Sequence, residues 1–409
     1  MKKMSFFKIS VAAAILVSFT ACKKNDDQTT TNVNNPKTGM EEMISEKGAN
    51  PDEASITQTV TLANTGNRER GDDDGHYLYT ESNILGTNSI IGYKIKKDGA
   101  LQWQEQVLSG GSGTGKSLGS QGALVIDKEH EWLYAVNAGC NSVSSFKIGD
   151  KGKLTLGHSA DVDGKTPVSV TVHKDLLYVL NRATDNIQGF KIGSGGMMTP
   201  IGGSIQPLSS TGVDAPQISF TPNGDWIIVT EKATNIIGTF KVKNDGSVNA
   251  GTFTASVGKT PFGFDFSRNY MIVSNAAGGM AGAGSSTSYT PYNGKPTAIN
   301  GAVASEQAAP CWVATTKYGR FAYVTNTASN NISSYYVSPW GGLYLVHGEA
   351  AKTDNGPVDI VVSANNYDVY ELNGKSNTIG WYQRKPFGEL ILKGTATNLP
   401  LSTVGLATY

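Results

Sequence analysis

Short apolar segments separated by polar turns recur along the chain from about residue 76 onward. The clearest copy is Phe321–Asn326 (FAYVTN), which is followed by a polar turn and then by a second strand that begins at Ile332. This alternation of apolar and polar residues predicts half-buried β-strands. Further copies lie at residues 78–81, 133–137, 177–181, 227–231, 271–275 and 369–373.

The number and spacing of these copies predict the fold. Their central residues, which we call the anchors, are 44 to 55 residues apart, an interval typical of propeller blades. The anchors are Tyr79, Tyr134, Tyr178, Ile228, Ile272, Tyr323 and Tyr370. In most copies a strand led by a small residue and Pro precedes the anchor strand, and two further strands follow it, which makes a four-stranded antiparallel meander. Because a lone meander cannot bury both faces, the sequence predicts an all-β, seven-bladed β-propeller.

The two ends of the repeat region predict how the ring closes. No Pro-led strand precedes the first anchor, Tyr79, whereas residues 399–406 near the C-terminus offer an extra strand. If that strand completes the first blade, pairing of the two ends removes the open edges of the ring. We therefore expect residues 68–409 to form a propeller closed by the C-terminal strand.

The N-terminal residues are expected to lie outside the fold. Basic residues precede an apolar run over residues 9–19, and Phe19-Thr20-Ala21-Cys22 resembles a bacterial lipobox. The favoured interpretation is a lipoprotein signal peptide over residues 1–22 with lipidation at Cys22, followed by a polar tether over residues 23–67. An ordinary cleaved signal peptide and a short membrane helix are the alternatives. The anchored protein would face either the periplasm or the cell surface from the outer membrane.

Composition and charge narrow the possible partners. The chain has 34 basic and 34 acidic residues, so it lacks the basic excess that nucleic-acid binding needs. Its five His residues are scattered without the spacing of a metal site, and we expect neither a metal nor another cofactor. Cys140 and Cys311 fall on different blades and are expected to be free thiols. The protein is expected to be a monomer with a small-molecule ligand.

The repeat also resembles a known family. Tyr323-Val324-Thr325-Asn326 spells the signature of the Tyr-Val-Thr-Asn propeller repeats, and the region from Gly122 onward resembles the bacterial β-propeller lactonases, described as 6-phosphogluconolactonase-like or 3-carboxymuconate-cyclase-like. The most specific stretches are residues 229–235, 260–264 and 307–313. The resemblance implies lactone hydrolysis. However, the family's His-Pro-His turn and Arg-His pair are missing, because the corresponding strand starts read Thr166-Pro167-Val168 and Pro216-Gln217-Ile218.

Residues that depart from the repeat's own consensus are the candidate site residues. In a four-stranded blade, the start of the inner strand and the turn after the anchor strand lie at one end of the ring, the usual place for a ligand. Glu231 replaces the Asn that five other copies carry, and a carboxylate there would serve as a general base; an ion pair or a turn cap is the alternative. The other candidates are Gln217, Trp312 and Asp359 at inner-strand starts and the cations Arg182, Lys232 and Lys259.

Each of the three inner-strand candidates has a structural alternative. Trp312 would stack on a ring-shaped ligand or fill the channel, and Gln217 and Asp359 would bind a ligand or only hold channel water. The leading hypothesis is a cell-envelope propeller that binds, and as an enzyme hydrolyses, a small lactone or sugar-derived ligand at the channel mouth. The alternatives are a non-catalytic propeller that binds a protein or glycan and, third, a carboxymuconate-type cyclase or isomerase.

Overall fold

The computed structural model describes residues 75–290 and 292–409, and these ranges form a seven-bladed β-propeller. The predictions for residues 1–67, including lipidation at Cys22, lie outside the described residues. Each blade is an antiparallel sheet of four or five strands, so the predicted fold class is confirmed. None of the helical turns in the described ranges has the length and apolar character that crossing a membrane requires.

The strands follow the predicted meander from blade to blade. The first three blades use β1 (His76–Glu81), β2 (Ser89–Ile95), β3 (Leu101–Leu108), β4 (Leu124–Ile126), β5 (Trp132–Asn137), β6 (Ser142–Ile148), β7 (Leu154–Asp161), β8 (Pro167–His173), β9 (Leu176–Asn181), β10 (Asn186–Ile192), β11 (Met198–Pro200) and β12 (Gln206–Pro207). Blades 4 and 5 use β13 (Gln217–Phe220), β14 (Trp226–Glu231), β15 (Ile236–Lys241), β16 (Thr252–Ala255), β17 (Pro261–Ser267), β18 (Tyr270–Asn275), β19 (Ser285–Thr290), β20 (Thr297–Ala298) and β21 (Val303–Ala304). Blades 6 and 7 use β22 (Pro310–Thr315), β23 (Phe321–Asn326), β24 (Asn331–Val337), β25 (Leu343–Lys352), β26 (Pro357–Val362), β27 (Asp368–Asn373), β28 (Thr378–Arg384) and β29 (Leu390–Ala396). Short 3-10 turns lie at Asp150–Gly152, Arg182–Thr184, Ser194–Gly196, Ala277–Gly279 and Tyr292–Gly294.

The last strand, β30 (Val404–Thr408), closes the ring as predicted. It pairs antiparallel with β1, which makes it the inner strand of blade 1. The Thr80 hydroxyl strengthens this closure by donating to the Gly405 carbonyl at 2.7 Å. The strand begins at Val404, later than the predicted 399, because the Thr403 N–H and hydroxyl both donate to the Pro400 carbonyl and hold this segment in a turn.

The anchor tyrosines connect neighbouring blades. All five are buried, and the Tyr79 hydroxyl donates to the Gly152 carbonyl of the next blade at 2.7 Å. Tyr178 makes the same bond to Gly246 at 2.7 Å, and Tyr370 reaches the corresponding glycine of blade 1 at the same distance. Tyr79, Tyr178 and Tyr370 are therefore structural residues, because each fills the space between two blades and satisfies a hairpin carbonyl.

The two ends of the ring carry different strand connections, and we call them the upper and the lower face. At the upper face the inner strands begin and the second strands turn into the third. At the lower face the inner strands turn into the second strands and the third strands turn into the fourth. The second strand of blade 1 is β1, so the first described strand begins at His76 on the lower face.

Candidate functional site

The inner strands of six blades, all except blade 3, line a central cavity of about 330 Å³. The structure places two predicted site residues, Gln217 and Asp359, in its wall. Gln121 and Asp265 also line the cavity, and the sequence analysis does not single them out. Asp265 lies toward the lower end of its inner strand, whereas the sequence comparison considered only strand starts. A polar residue within an otherwise apolar inner strand is the signal that would have found it.

The polar side chains in the wall join the inner strands of neighbouring blades. Gln217 donates through Nε2 to the Phe264 carbonyl at 2.9 Å and accepts from the Phe264 N–H through Oε1 at 2.7 Å. Asp359 accepts from the Leu406 N–H of blade 1 at 2.8 Å. Inner strands of adjacent blades share no sheet, so these side chains satisfy backbone groups that would otherwise lack partners.

Two carboxyl groups in the wall, those of Asp359 and Asp265, have a raised pKa. Burial raises the pKa of Asp359 to about 7, while the N–H groups of Ile360 and Leu406 act in the opposite direction. Burial also raises the pKa of Asp265, whose carboxylate accepts from the N–H of Thr315 at 2.7 Å and from its hydroxyl at 2.8 Å. Desolvation thus outweighs hydrogen bonding at both carboxyl groups.

Residues 118–121, which we call the crossing segment, cover the upper end of the channel. The Ser120 hydroxyl donates to the Val168 carbonyl of blade 3 at 2.7 Å, and the Gln121 N–H donates to the Pro216 carbonyl of blade 4 at 3.0 Å. On the other side of the ring, Gln121 Nε2 donates to the Val313 carbonyl of blade 6 at 2.7 Å. Because blade 3 lies opposite blade 6 in a ring of seven blades, the segment spans the channel.

Two predicted ligand-binding residues hold this crossing segment. Trp312 is 3% exposed, its ring packs 5.0 Å from that of Phe262, and its Nε1 donates to the Ser120 carbonyl at 2.8 Å. The Arg182 guanidinium donates to the carbonyls of Leu118, Gly119 (3.0 Å) and Ala215 (3.2 Å). Of the two roles predicted for Trp312, the contacts fit filling of the channel better than stacking on a ligand.

A charged cluster lies beside the crossing segment on the upper face. Asp214 accepts ion-pair contacts from Lys232 Nζ at 3.0 Å and from Arg182 Nε at 3.4 Å, and its own side chain remains 51% exposed. Lys232 also lies 4.7 Å from the centre of the Phe262 ring. Burial lowers the pKa of Lys232, and the nearby Arg182 adds to this effect, while Asp214 opposes it. Asp214 was missed in the sequence analysis, although it is an acid at a position where the other Pro-led copies carry Lys165, Lys259, Ala308 and Asn355.

Glu231 has the contacts of a structural cap. Its side chain is fully buried; Oε1 accepts from the Ser209 N–H at 3.0 Å, and Oε2 accepts from the Ser209 hydroxyl and from Thr234 Oγ1 at 2.6 Å. Asn326, which occupies the same place in blade 6, donates across its own hairpin to Ser333 Oγ at 2.8 Å. Glu231 therefore replaces the repeat's Asn because it binds Ser209, a residue of the irregular loop that precedes its blade.

Lys259 lies apart from this cluster, and the two cysteines of the propeller show no sign of a reactive role. Lys259 is exposed on the loop that leads to blade 5. Cys140 and Cys311 are free thiols, and burial raises the pKa of Cys311 to about 12, which keeps it protonated. Within the described ranges, His, Cys, Asp and Glu do not form a group that could hold a metal ion.

This architecture is a closed ring of seven blades, each of four or five strands, with a cluster of charge at the upper face. Residues 87–211 match the family model described as "Lactonase, 7-bladed beta-propeller". The chain is similar in structure to the periplasmic gluconolactonase of Pseudomonas aeruginosa (15% identity, TM-score 0.66), with 82% of this chain and 98% of that one covered.

Two further similar structures are described as proposed 6-phosphogluconolactonases. That from Bacteroides fragilis has 17% identity and a TM-score of 0.65, covering 82% of this chain and 98% of its own. That from Bacteroides uniformis has 16% identity and a TM-score of 0.67, covering 81% and 99%. No curated protein matches the sequence. The resemblance inferred from the repeats is thus confirmed, by the family model over residues 87–211 and by the solved structures at the level of the fold.

Proposed function

We propose that the protein binds a small lactone or sugar-derived ligand at the upper face, over Asp214 and Lys232. The observation that supports this proposal is the half-exposed Asp214 carboxylate held between two cations beside the Phe262 ring. A carboxylate accepts hydrogen bonds from sugar hydroxyls, an ammonium donates to carbonyl or ring oxygens, and an aromatic ring offers an apolar surface.

The same groups suit hydrolysis of a lactone. Lys232 Nζ would donate to the lactone carbonyl and stabilise the negative charge that develops on its oxygen. A carboxylate would accept a proton from the attacking water as the new C–O bond forms. The ring C–O bond then breaks, and the same proton passes to the leaving alkoxide, which yields a hydroxy acid.

Two carboxylates are candidates for the general base. Glu231 is the one that the sequence predicts, but both of its oxygens are engaged and it is fully buried. Asp214 is about half exposed and contacts Lys232 directly. A general base must reach the water that it activates, so the geometry favours Asp214.

The test is hydrolysis of a panel of aldonolactones and aliphatic lactones, followed by titration of the acid released. We expect kcat/KM to fall at least about 100-fold in Asp214→Asn, a typical loss for a general base, and to fall also in Lys232→Met. Lys259→Met, an exposed cation on the same face, is the matched control and should keep full activity. Turnover that disappears in Glu231→Gln while Asp214→Asn remains active would reassign the base to Glu231. Absence of turnover and of binding across the panel would overturn the proposal.

The crossing segment favours a second candidate function, a non-catalytic propeller that binds a protein or glycan at the cell envelope. Gln121 and Ser120 close the channel from above, and the carboxylates of Asp359 and Asp265 in its wall accept from the protein's own N–H groups. Saturable binding of an oligosaccharide or a protein to the upper face without turnover, lost in Lys232→Met, would favour this candidate.

The carboxymuconate-type reaction ranks last, because an anionic substrate needs available cations. Arg182 already binds three backbone carbonyls and Asp214.

Attachment to the cell envelope is proposed from Cys22 alone. Metabolic labelling with a fatty acid, with Cys22→Ser as control, tests it: label that persists in the variant would contradict lipidation.

A further inference from the structure

Four exposed aromatic side chains lie on the lower face of blades 6 and 7. Their exposed fractions are 82% for Trp340, 71% for Tyr318, 63% for Phe387 and 51% for Tyr367. Trp340 and Phe387 stand at the tips of the hairpins between third and fourth strands, and Tyr318 and Tyr367 lie in the turns between first and second strands. We call these four residues the aromatic patch.

The aromatic patch is a departure from the repeat. Trp340 and Phe387 each precede a hairpin glycine in the left-handed region, Gly341 and Gly388. In the first five blades the residue before this glycine is polar or is itself glycine: Asp98, Lys151, Gly195, Asp245 and Asn293. The fold therefore does not need an aromatic residue here. Exposed aromatic rings at the turns of two adjacent blades indicate contact with a partner.

The charge around the aromatic patch is positive. In the lower-face turns of blades 5 to 7, the cations Arg268, Lys317 and Arg320 are exposed and Lys385 is half-buried. Among the described residues of these turns, one acid is exposed, Glu389. The corresponding turns of blades 2 to 4 mix both signs. Their acids are Asp127, Glu129, Glu131, Asp150, Asp175, Asp225 and Asp245. Cations and exposed aromatic rings coincide on one sector of the ring.

We propose that this sector of the lower face docks on an anionic lipid bilayer. Trp and Tyr rings are amphipathic and favour the headgroup region, and Lys and Arg beside them are attracted to anionic lipids. Strand β1 also begins at this face, at His76. Docking in this way turns the upper face, with Asp214 and Lys232, toward the aqueous phase.

Sedimentation with lipid vesicles tests the proposal in the full chain carrying Cys22→Ser, which cannot be lipidated. We expect binding to vesicles of phosphatidylglycerol and phosphatidylcholine in equal parts, and weaker binding to phosphatidylcholine alone. Trp340→Ala should weaken binding about tenfold, and Lys317→Ser about fivefold. Raising the salt from about 0.1 M to about 1 M should remove the preference for anionic lipid.

Matched controls separate this surface from general adhesion. Trp103→Ala removes a ring that is 61% exposed on the outer strand of blade 1, and Lys128→Ser removes an exposed lower-face cation of blade 2. Both should bind as the parent does, and all variants should unfold at the same urea concentration. The apolar run at residues 9–19 is common to every variant and adds an equal background.

Three outcomes would overturn the proposal. These are vesicle binding that is unchanged in Trp340→Ala and Lys317→Ser, equal losses in the controls, and failure to bind either vesicle. Retention on an immobilised glycan or protein through Trp340 without vesicle binding would likewise replace the bilayer with that partner. None of these results depends on lactone binding, because the variants leave the upper face intact.

Discussion

The role of Glu231 can be decided by measuring stability and activity together. The carboxylate is fully buried and accepts three hydrogen bonds, from the Ser209 N–H, the Ser209 hydroxyl and Thr234. Hydrogen bonds to a charged acceptor contribute about 1.5–3 kcal/mol each, so three set an upper bound of roughly 5–9 kcal/mol. The two hydroxyl groups can rotate to other acceptors, but the Ser209 N–H cannot.

We therefore expect Glu231→Ala to lower the free energy of unfolding by about 3 kcal/mol, from the unsatisfied N–H and the lost charge-assisted bonds. Glu231→Gln should lose only about 1–2 kcal/mol, because the amide oxygen can still accept from Ser209. Urea unfolding followed by tryptophan fluorescence measures both values. Glu129→Gln, an exposed acid, is the control and should shift stability by less than about 0.5 kcal/mol.

A double-mutant cycle makes this reasoning refutable. Ser209→Ala combined with Glu231→Ala should be less destabilising than the sum of the two single changes by about 1 kcal/mol, since both remove the contact between the Ser209 hydroxyl and the Glu231 carboxylate. Additive changes would show that the contact carries no stability. Full stability of Glu231→Gln together with loss of lactone hydrolysis would refute the structural role and support a general base.

Three further predictions follow from the channel and the blade contacts. Burial raises the pKa of Asp359 from 3.8 to about 7, so between these values the folded state binds a proton that the unfolded state releases, and stability should fall as pH rises from about 4 to 7. Asp359→Asn should make the urea midpoint depend less on pH over this range, and an unchanged dependence would contradict the role of Asp359. Arg182→Met removes the donors to Leu118, so hydrogen exchange in residues 118–121 should accelerate, whereas Lys259→Met should leave it unchanged. Tyr178→Phe deletes the bond to a Gly246 carbonyl and should cost about 1–2 kcal/mol in urea unfolding; no measurable loss would show that the bond is dispensable.

The fold could be predicted from the sequence because it repeats. Seven anchors at similar intervals determine the number of blades, and a C-terminal strand without a blade of its own has one place to pair. The start of that strand was harder to predict, since Pro400 and Thr403 form a local turn whose hydrogen bonds are not visible in an apolar pattern.

The candidate site was predicted less completely, because its contacts are non-local. Comparing the copies correctly marks Glu231 as exceptional, but its role depends on Ser209, in an irregular loop outside the repeat. The crossing segment has no copy at all. Gln121 bonds to Val313, a residue 192 positions away, and no local periodicity predicts such a pair. Repetition predicts the ring, whereas the residues that fill and cover the ring vary independently of it.

Closure by the last strand has a consequence for how the protein is made. The backbone of Tyr409 exchanges two hydrogen bonds with Tyr77, and its ring stacks 5.1 Å from His130 of the second blade. Blade 1 therefore stays incomplete during synthesis, with an open edge on β1, until β30 becomes available to pair with it. A chain cut once in a loop between two blades would leave two fragments that still share the sheet of blade 1, whereas loss of β30 would leave the ring open.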